Sequence, residues 1–252
     1  MKSLLFVGHP GHELMIYQVL KQYSPDVVFL TTGSGADNKP RIDESIKLME
    51  SLNLTVHYPF EPLSDCQIYN LILGGDLASF IGIKESLIQF VHKLGYELLI
   101  GDALEGFNPA HDICRYLING VVADLQPDHK ILNYDILLDQ LFLVDQEPTT
   151  TDHIRLDLNE EEKREKIESC KKYKPIRTEV NRFIATYGED FFGKESMRPV
   201  HDIFKLKSWD GPAPHYEMHG KKRISEGVYQ SLILFETHIK PIAEGLLKKS
   251  VE

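Results

Sequence analysis

Leu4-Leu5-Phe6-Val7-Gly8-His9-Pro10-Gly11-His12-Glu13 sets the reading of the chain. Four apolar residues in a row, stopped by a glycine, read as a short strand buried on both faces. Ile16, Val19, Leu20 and Tyr23 follow at helical spacing. Working outward, apolar runs over 27–30, 54–58, 98–100 and 131–134 read as four further strands. Helical periods fall between them: Ile42, Ile46 and Met49; Ile83, Leu87, Phe90, Val91 and Leu94; Cys114, Leu117, Ile118, Val121, Val122 and Leu125. Strands alternating with helices imply βαβ units. The expected fold is α/β, with a Rossmann-like, mostly parallel sheet flanked by helices over residues 1–150.

Beyond about residue 150 the texture changes. Residues 159–174 are highly charged, acidic first and basic later, which suits a helix in its own dipole. Residues 178–187 read as a helix stopped by Gly188, 196–220 as Pro-rich and irregular, and 225–248 as a last helix bent near Pro241. No flexible linker separates the halves. The expectation is one domain over 1–252, with an α-rich C-terminal portion packed on the core.

Composition narrows the function. The 252 residues are 42% hydrophobic and 26% charged, ordinary for a globular protein. A net charge of −10, from 28 Lys and Arg against 38 Asp and Glu, argues against a nucleic-acid partner, which needs cations to displace counterions. No run approaches the roughly 18 apolar residues of a membrane span, so no integral membrane segment is expected. The N-terminal run is too short for the core of a signal peptide. Cys66, Cys114 and Cys170 are few and scattered, which suits a reducing cytoplasm.

In such sheets ligands sit beyond the carboxyl ends of the strands. The turns to search are therefore 8–13, 31–35 and 101–111. His9 and His12 lie three residues apart on the first turn, and His111 follows the fourth expected strand at the start of a helix. If the first and fourth strands are neighbours, the three imidazoles meet. They then form an open metal site of the zinc type, with one position left for water. Thr31-Thr32-Gly33-Ser34-Gly35 is either a turn that approaches a ligand or simple loop chemistry. Trp209, the one Trp, is either a sugar-stacking platform or packing.

Strand-Gly-His-Pro-x-x-Glu resembles the His-Pro-Asp-Asp-Glu signature of the PIG-L/LmbE superfamily of zinc-dependent N-deacetylases. Asn108-Pro109-Ala110-His111 looks like that superfamily's His-Pro-Asp-His motif. Lys166, Tyr173, Phe192 and Glu195-Ser196-Met197-Arg198 are similar in spacing to its helical region and Glu-x-Phe-Arg element, so the likeness spans roughly residues 1–200. It implies metal ligation by His9, His12 and His111, with zinc or another divalent ion, and His12 standing where the superfamily has an aspartate. It also implies a general base at position 11, where this chain has glycine. Glu13, Asp102, Glu105 and Asp112 are the carboxylates available instead; Asp102 ranks first and Glu105 second, because both lie between the fourth strand and His111. Glu13, Asn108, His215, Tyr216 and His219 are expected to line the substrate.

The resulting expectation is a metal-dependent hydrolase, an N-deacetylase or deacylase of a small carbohydrate-like molecule. Two other readings stand beside it. One is a different metal-dependent sugar-modifying enzyme; the other is a degenerate member that binds a ligand without catalysis.

Overall fold

A computed structural model describes residues 1–35, 39–126, 130–136, 152–206, 209 and 213–248. Four parallel strands form its centre: β1 (Ser3–Val7), β2 (Asp26–Phe29), β3 (Leu98–Asp102) and β4 (Leu132–Ile136). Two more, β5 (Ile154–Asp157) and β6 (Lys194–Pro199), add antiparallel to give the order β2-β1-β3-β4-β6-β5. The mostly parallel α/β sheet read from the sequence is present. The chain leaves β1 toward β2 on one side and later returns to β3 on the other, so the strand order reverses at β1. Leu5 pairs with Ile100 and Phe6 with Gly101, which brings the carboxyl ends of β1 and β3 side by side.

Helices cover both faces. On one lie α3 (Asp65–Leu73), α4 (Leu77–Leu94), α5 (Pro109–Leu125) and α9 (Lys240–Leu247), whose side chains join Leu4, Phe6 and Leu99 in the larger core. On the other, α1 (Tyr17–Tyr23) and α2 (Ile42–Ser51) pack Ile16, Val19, Leu20 and Met49 against Leu5, Val7 and Ile100. A third cluster joins Leu14 and Tyr17 to α6 (Glu160–Lys172) and α7 (Arg177–Tyr187) through Ile167, Cys170 and Val180. α8 (His215–Ser225) lies near the rim of the β3–α5 loop, its Tyr216 N–H bonded to the Gly106 carbonyl at 3.3 Å.

Three expectations need correction. Residues 54–58 form no strand; single parallel bridges, Val27 with Val56 and Thr31 with Leu63, line the edge of β2 instead. Pro59 and Pro62 lack the N–H groups a continuous ladder needs. The stretch 196–220, read as irregular, begins inside β6 and ends inside α8. In β6 the alternation is hidden because the buried position before Met197 is charged Glu195. The expected last helix over 225–248 is interrupted: α8 ends at Ser225, Gly227 takes a left-handed φ of 73°, and a π-turn (Phe235–Ile239) leads into α9. Pro241 sits in the first turn of α9, directly after the π-turn.

The pair that hides the β6 pattern also anchors the site. Lys166 Nζ and Glu195 Oε1 are 3.0 Å apart and neither side chain is accessible to solvent. Glu195 also accepts the Gln18 and Val19 amides at 3.0 and 2.9 Å, at the start of α1, while Lys166 donates to the Met15 carbonyl at 2.8 Å. This buried charged pair ties residues 15–19 to α6 and β6. Lys166→Met leaves the Glu195 charge buried and should destabilise the fold by about 3–5 kcal/mol in chemical denaturation. The double variant Lys166→Met, Glu195→Gln should recover part of that, because Gln keeps an acceptor for the α1 amides.

Candidate metal centre

The turn after β1 is shaped by two glycines. Gly8 donates its N–H to Asp102 Oδ2 at 2.8 Å, and a Cβ on Gly8 would stand only 2.7 Å from that oxygen. Gly11 has φ +107°, a conformation that strains any other residue, and donates its N–H to Glu13 Oε2 at 2.7 Å. The chain then winds into a short 3-10 helix (His12–Ile16). This turn aims His9 and His12 at the carboxyl edge of the sheet. On the neighbouring strand end, Asn108 caps α5 by accepting the Ala110 amide at 2.8 Å, and Pro109 opens the helix. His111 thereby falls in the first turn of α5, facing the other two.

The three imidazoles converge. Ring centroids are 5.5 Å apart for His9 and His12, 5.1 Å for His9 and His111, and 4.3 Å for His12 and His111. One nitrogen from each lies within 4.8 Å of the others. Two observations fit a cation here. His9 Nδ1 and His111 Nδ1 are buried nitrogens without a hydrogen-bond partner, which a protein rarely tolerates. Burial also lowers the pKa of His9 and, more strongly, of His111, with the neighbouring histidines and Arg41 adding to the effect. Neutral imidazoles are the form that binds metal.

Two carboxylates stand behind the rings. Asp102 Oδ1 is 2.9 Å from His12 Nδ1 while its other oxygen holds Gly8. With Nδ1–H donated to Asp102, His12 Nε2 keeps its lone pair for the cluster. Asp65, the first residue of α3, places Oδ1 3.4 Å from His9 Nε2 and accepts the Gly35 amide on Oδ2 at 2.6 Å. Asp65 was not singled out in the sequence. Its one local signal is the capping box Ser64…Gln67, which puts an acid in a first helical turn. The reach of that turn to His9 is a tertiary fact.

The other expected residues are placed differently. Asp102 is fully buried with both oxygens engaged, one on Gly8 and one behind His12. Glu105 is half-buried in the loop between β3 and α5, where its N–H and that of Gly106 donate to Asp112 Oδ1 at 3.2 and 3.1 Å. Glu13, expected to touch substrate, is wholly buried; it accepts from Gly11 and from the Ser45 hydroxyl, which is 2.9 Å from Tyr173 OH. It braces the turn from inside. Asn108 spends its side chain on the α5 cap and on Tyr69 OH, 3.1 Å from Nδ2. Tyr216 is 7% exposed and packs in the larger core, which removes it from a substrate surface. His215 and His219 are exposed on α8, with the His215 ring stacked on Phe107 at 4.8 Å. Trp209 is packing: it occupies the space a Gly106 Cβ would need and meets Phe235 at 6.2 Å. The Thr31–Gly35 loop lies against this turn, with Thr31 Oγ1 donating to Gly8 O at 2.8 Å and Arg41 Nε to Gly33 O at 3.0 Å.

No family model and no curated protein matches this chain. Its fold is similar to solved structures. A deacetylase triple mutant from teicoplanin biosynthesis superposes with TM-score 0.55 at 12% identity, over 84% of this chain and 100% of that one. The A40926 pseudoaglycone deacetylase gives 0.56 at 15% identity, over 79% and 96%. A teicoplanin complex of a deacetylase from the same pathway gives 0.52 at 9% identity, over 80% and 100%. At these identities the likeness establishes the fold. No helix among the described residues is long and apolar enough to cross a membrane.

Two outcomes follow for the site. Asp102→Asn cannot accept from Gly8 and from His12 at once, and metal affinity, read by competition with a chromophoric chelator, should fall about 10–100-fold. Without metal, protons binding His9 and His111 favour the unfolded chain, whose histidines titrate near 6.5. Stability of the metal-free protein should therefore be level above about pH 6.5 and fall below it, and His111→Asn should flatten that slope in thermal melts.

Proposed function

We propose that the chain is a metal-dependent hydrolase that removes an acyl group from the nitrogen of a small amino-sugar-containing molecule. The observation that carries the reading is the convergence of His9, His12 and His111 at the carboxyl edge where the strand order reverses. A fold shared with deacetylases supports it. The three imidazoles would hold zinc, a choice that suits an all-nitrogen donor set. When bound, such an ion polarises an acyl carbonyl and acidifies water.

The chain's own residues have distinct tasks in this reading. Asp102 fixes the tautomer and aim of His12, and the Asp65 carboxylate stands beside His9. Gly8 allows the two strand ends to approach closely enough for that. Gly11 supplies no base, and its φ of +107° would strain an aspartate placed there. Proton transfer to the leaving nitrogen is assigned to Glu105, the carboxylate of the loop before His111, since Asp102 is engaged behind His12. His215 and His219, on the exposed side of that loop, are assigned to the substrate wall. The chain works as one domain in the cytoplasm.

The glycine at position 11 also favours a second reading, another metal-dependent sugar-modifying enzyme or a member that only binds its ligand. Amine release from a panel of N-acylated amino sugars separates them. The first reading expects turnover by the zinc-loaded protein, with Glu105→Gln slower by about 10²–10⁴-fold and its metal retained. A loaded wild-type protein inert on the whole panel would contradict it.

A further inference from the structure

We propose that His215 and His219 form a second site for a late first-row transition-metal ion, separate from the three-histidine cluster. Residues four apart on a helix share a face, and α8 carries these two at its N-terminal end. Their rings lie 5.8 Å apart with planes at 25°. The separation is close to the 5.5 Å between His9 and His12.

The first ring is prepared for the task. His215 Nδ1 lies 3.4 Å from the Phe107 carbonyl oxygen. Donating Nδ1–H to that carbonyl fixes the tautomer and leaves the Nε2 lone pair for a metal, the arrangement found behind metal-bound imidazoles. The ring is also stacked on Phe107 at 8°, so little freedom remains to be lost on binding. His219 is flanked on its other side by Tyr229 at 6.3 Å. The helix itself is held down by buried Tyr216 and by Glu217, whose Oε1 accepts the Phe235 amide at 2.7 Å.

With Glu217 Oε1 engaged there, the donor set among the described residues is two imidazoles, with water to complete it. Such a set selects borderline cations. It gives Mg²⁺ and Ca²⁺ none of the oxygen ligands they require, and Cu²⁺ stands at the top of the affinity order. The location gives the site a consequence. The Phe107 ring that supports His215 is itself 6.4 Å from the His111 ring, so a second ion would stand on the outer rim of the first centre. The ion would occupy the same two rings that the hydrolase reading places on the substrate wall, and its binding is tested without reference to that reading.

The test is Cu²⁺ binding by the full-length, untagged chain in equilibrium dialysis. The wild type should bind one equivalent more than His219→Ala, and excess Mg²⁺ should not compete for it. In the copper resonance of the His9→Ala, His111→Ala protein, which keeps one imidazole of the first centre, the ion should show coupling to two nitrogens, and to one at most after the further change His219→Ala. Equal copper in wild type and His219→Ala overturns the site, whether or not the three-histidine cluster binds. Since His219 is exposed, its replacement leaves the fold intact, and the wild-type comparison stands even if the His9→Ala, His111→Ala protein does not fold.

Discussion

The buried carboxylate of Asp102 is shared between two strand ends, with the Gly8 amide on one oxygen and the His12 imidazole on the other. Asp102 ends β3 and Gly8 follows β1, so this one side chain closes the gap at the place where the sheet's order reverses. A charge with no solvent is tolerable only when its oxygens are fully bonded. Here that requirement fixes the backbone of the turn and the aim of a ring together. Arg115 extends the constraint from behind, donating to the Asp102 carbonyl, to Asn133 Oδ1 at 2.7 Å and to the Tyr134 carbonyl at 2.8 Å, which locks β4 to the same edge.

A second buried charge pair does the corresponding work from the C-terminal half. Lys166 and Glu195 reach residues 15, 18 and 19, just past His12, and fasten them to α6 and β6. The short 3-10 helix is thus held at both ends, by Asp102 before it and by Glu195 after it. Glu13, within that helix, adds a third tie to Ser45 of α2. The site depends on polar contacts between distant parts of the chain, and its rings are aimed by groups that never meet solvent.

Much of the parallel core was legible because apolar runs stopped by glycine leave little choice of structure. The adjacency of β1 and β3 and the convergence of His9, His12 and His111 follow from that alternation and the carboxyl-edge rule. What stayed hidden has physical causes. Glu195 and Lys166 are charged residues inside the core, so periodicity counted them as surface and β6 went unseen. The position of Asp102 at the strand end is readable from sequence, but not that its carboxylate turns toward Gly8 and His12. Asn108 and Glu13 are spent on a helix cap and a turn, uses that need three-dimensional partners to be visible. Asp65 lies over fifty residues after His9 and His12 and over forty before His111, and only the packing of α3 brings it to His9.

Under the proposed function three imidazoles, and no carboxylate, hold the ion. X-ray absorption on the full chain loaded with one equivalent of zinc tests it most directly. Three imidazole nitrogens at about 2.0–2.1 Å, with the remaining position filled by a light ligand, is the expected shell. A shell with fewer than three imidazoles, or no zinc retained at neutral pH, would contradict it.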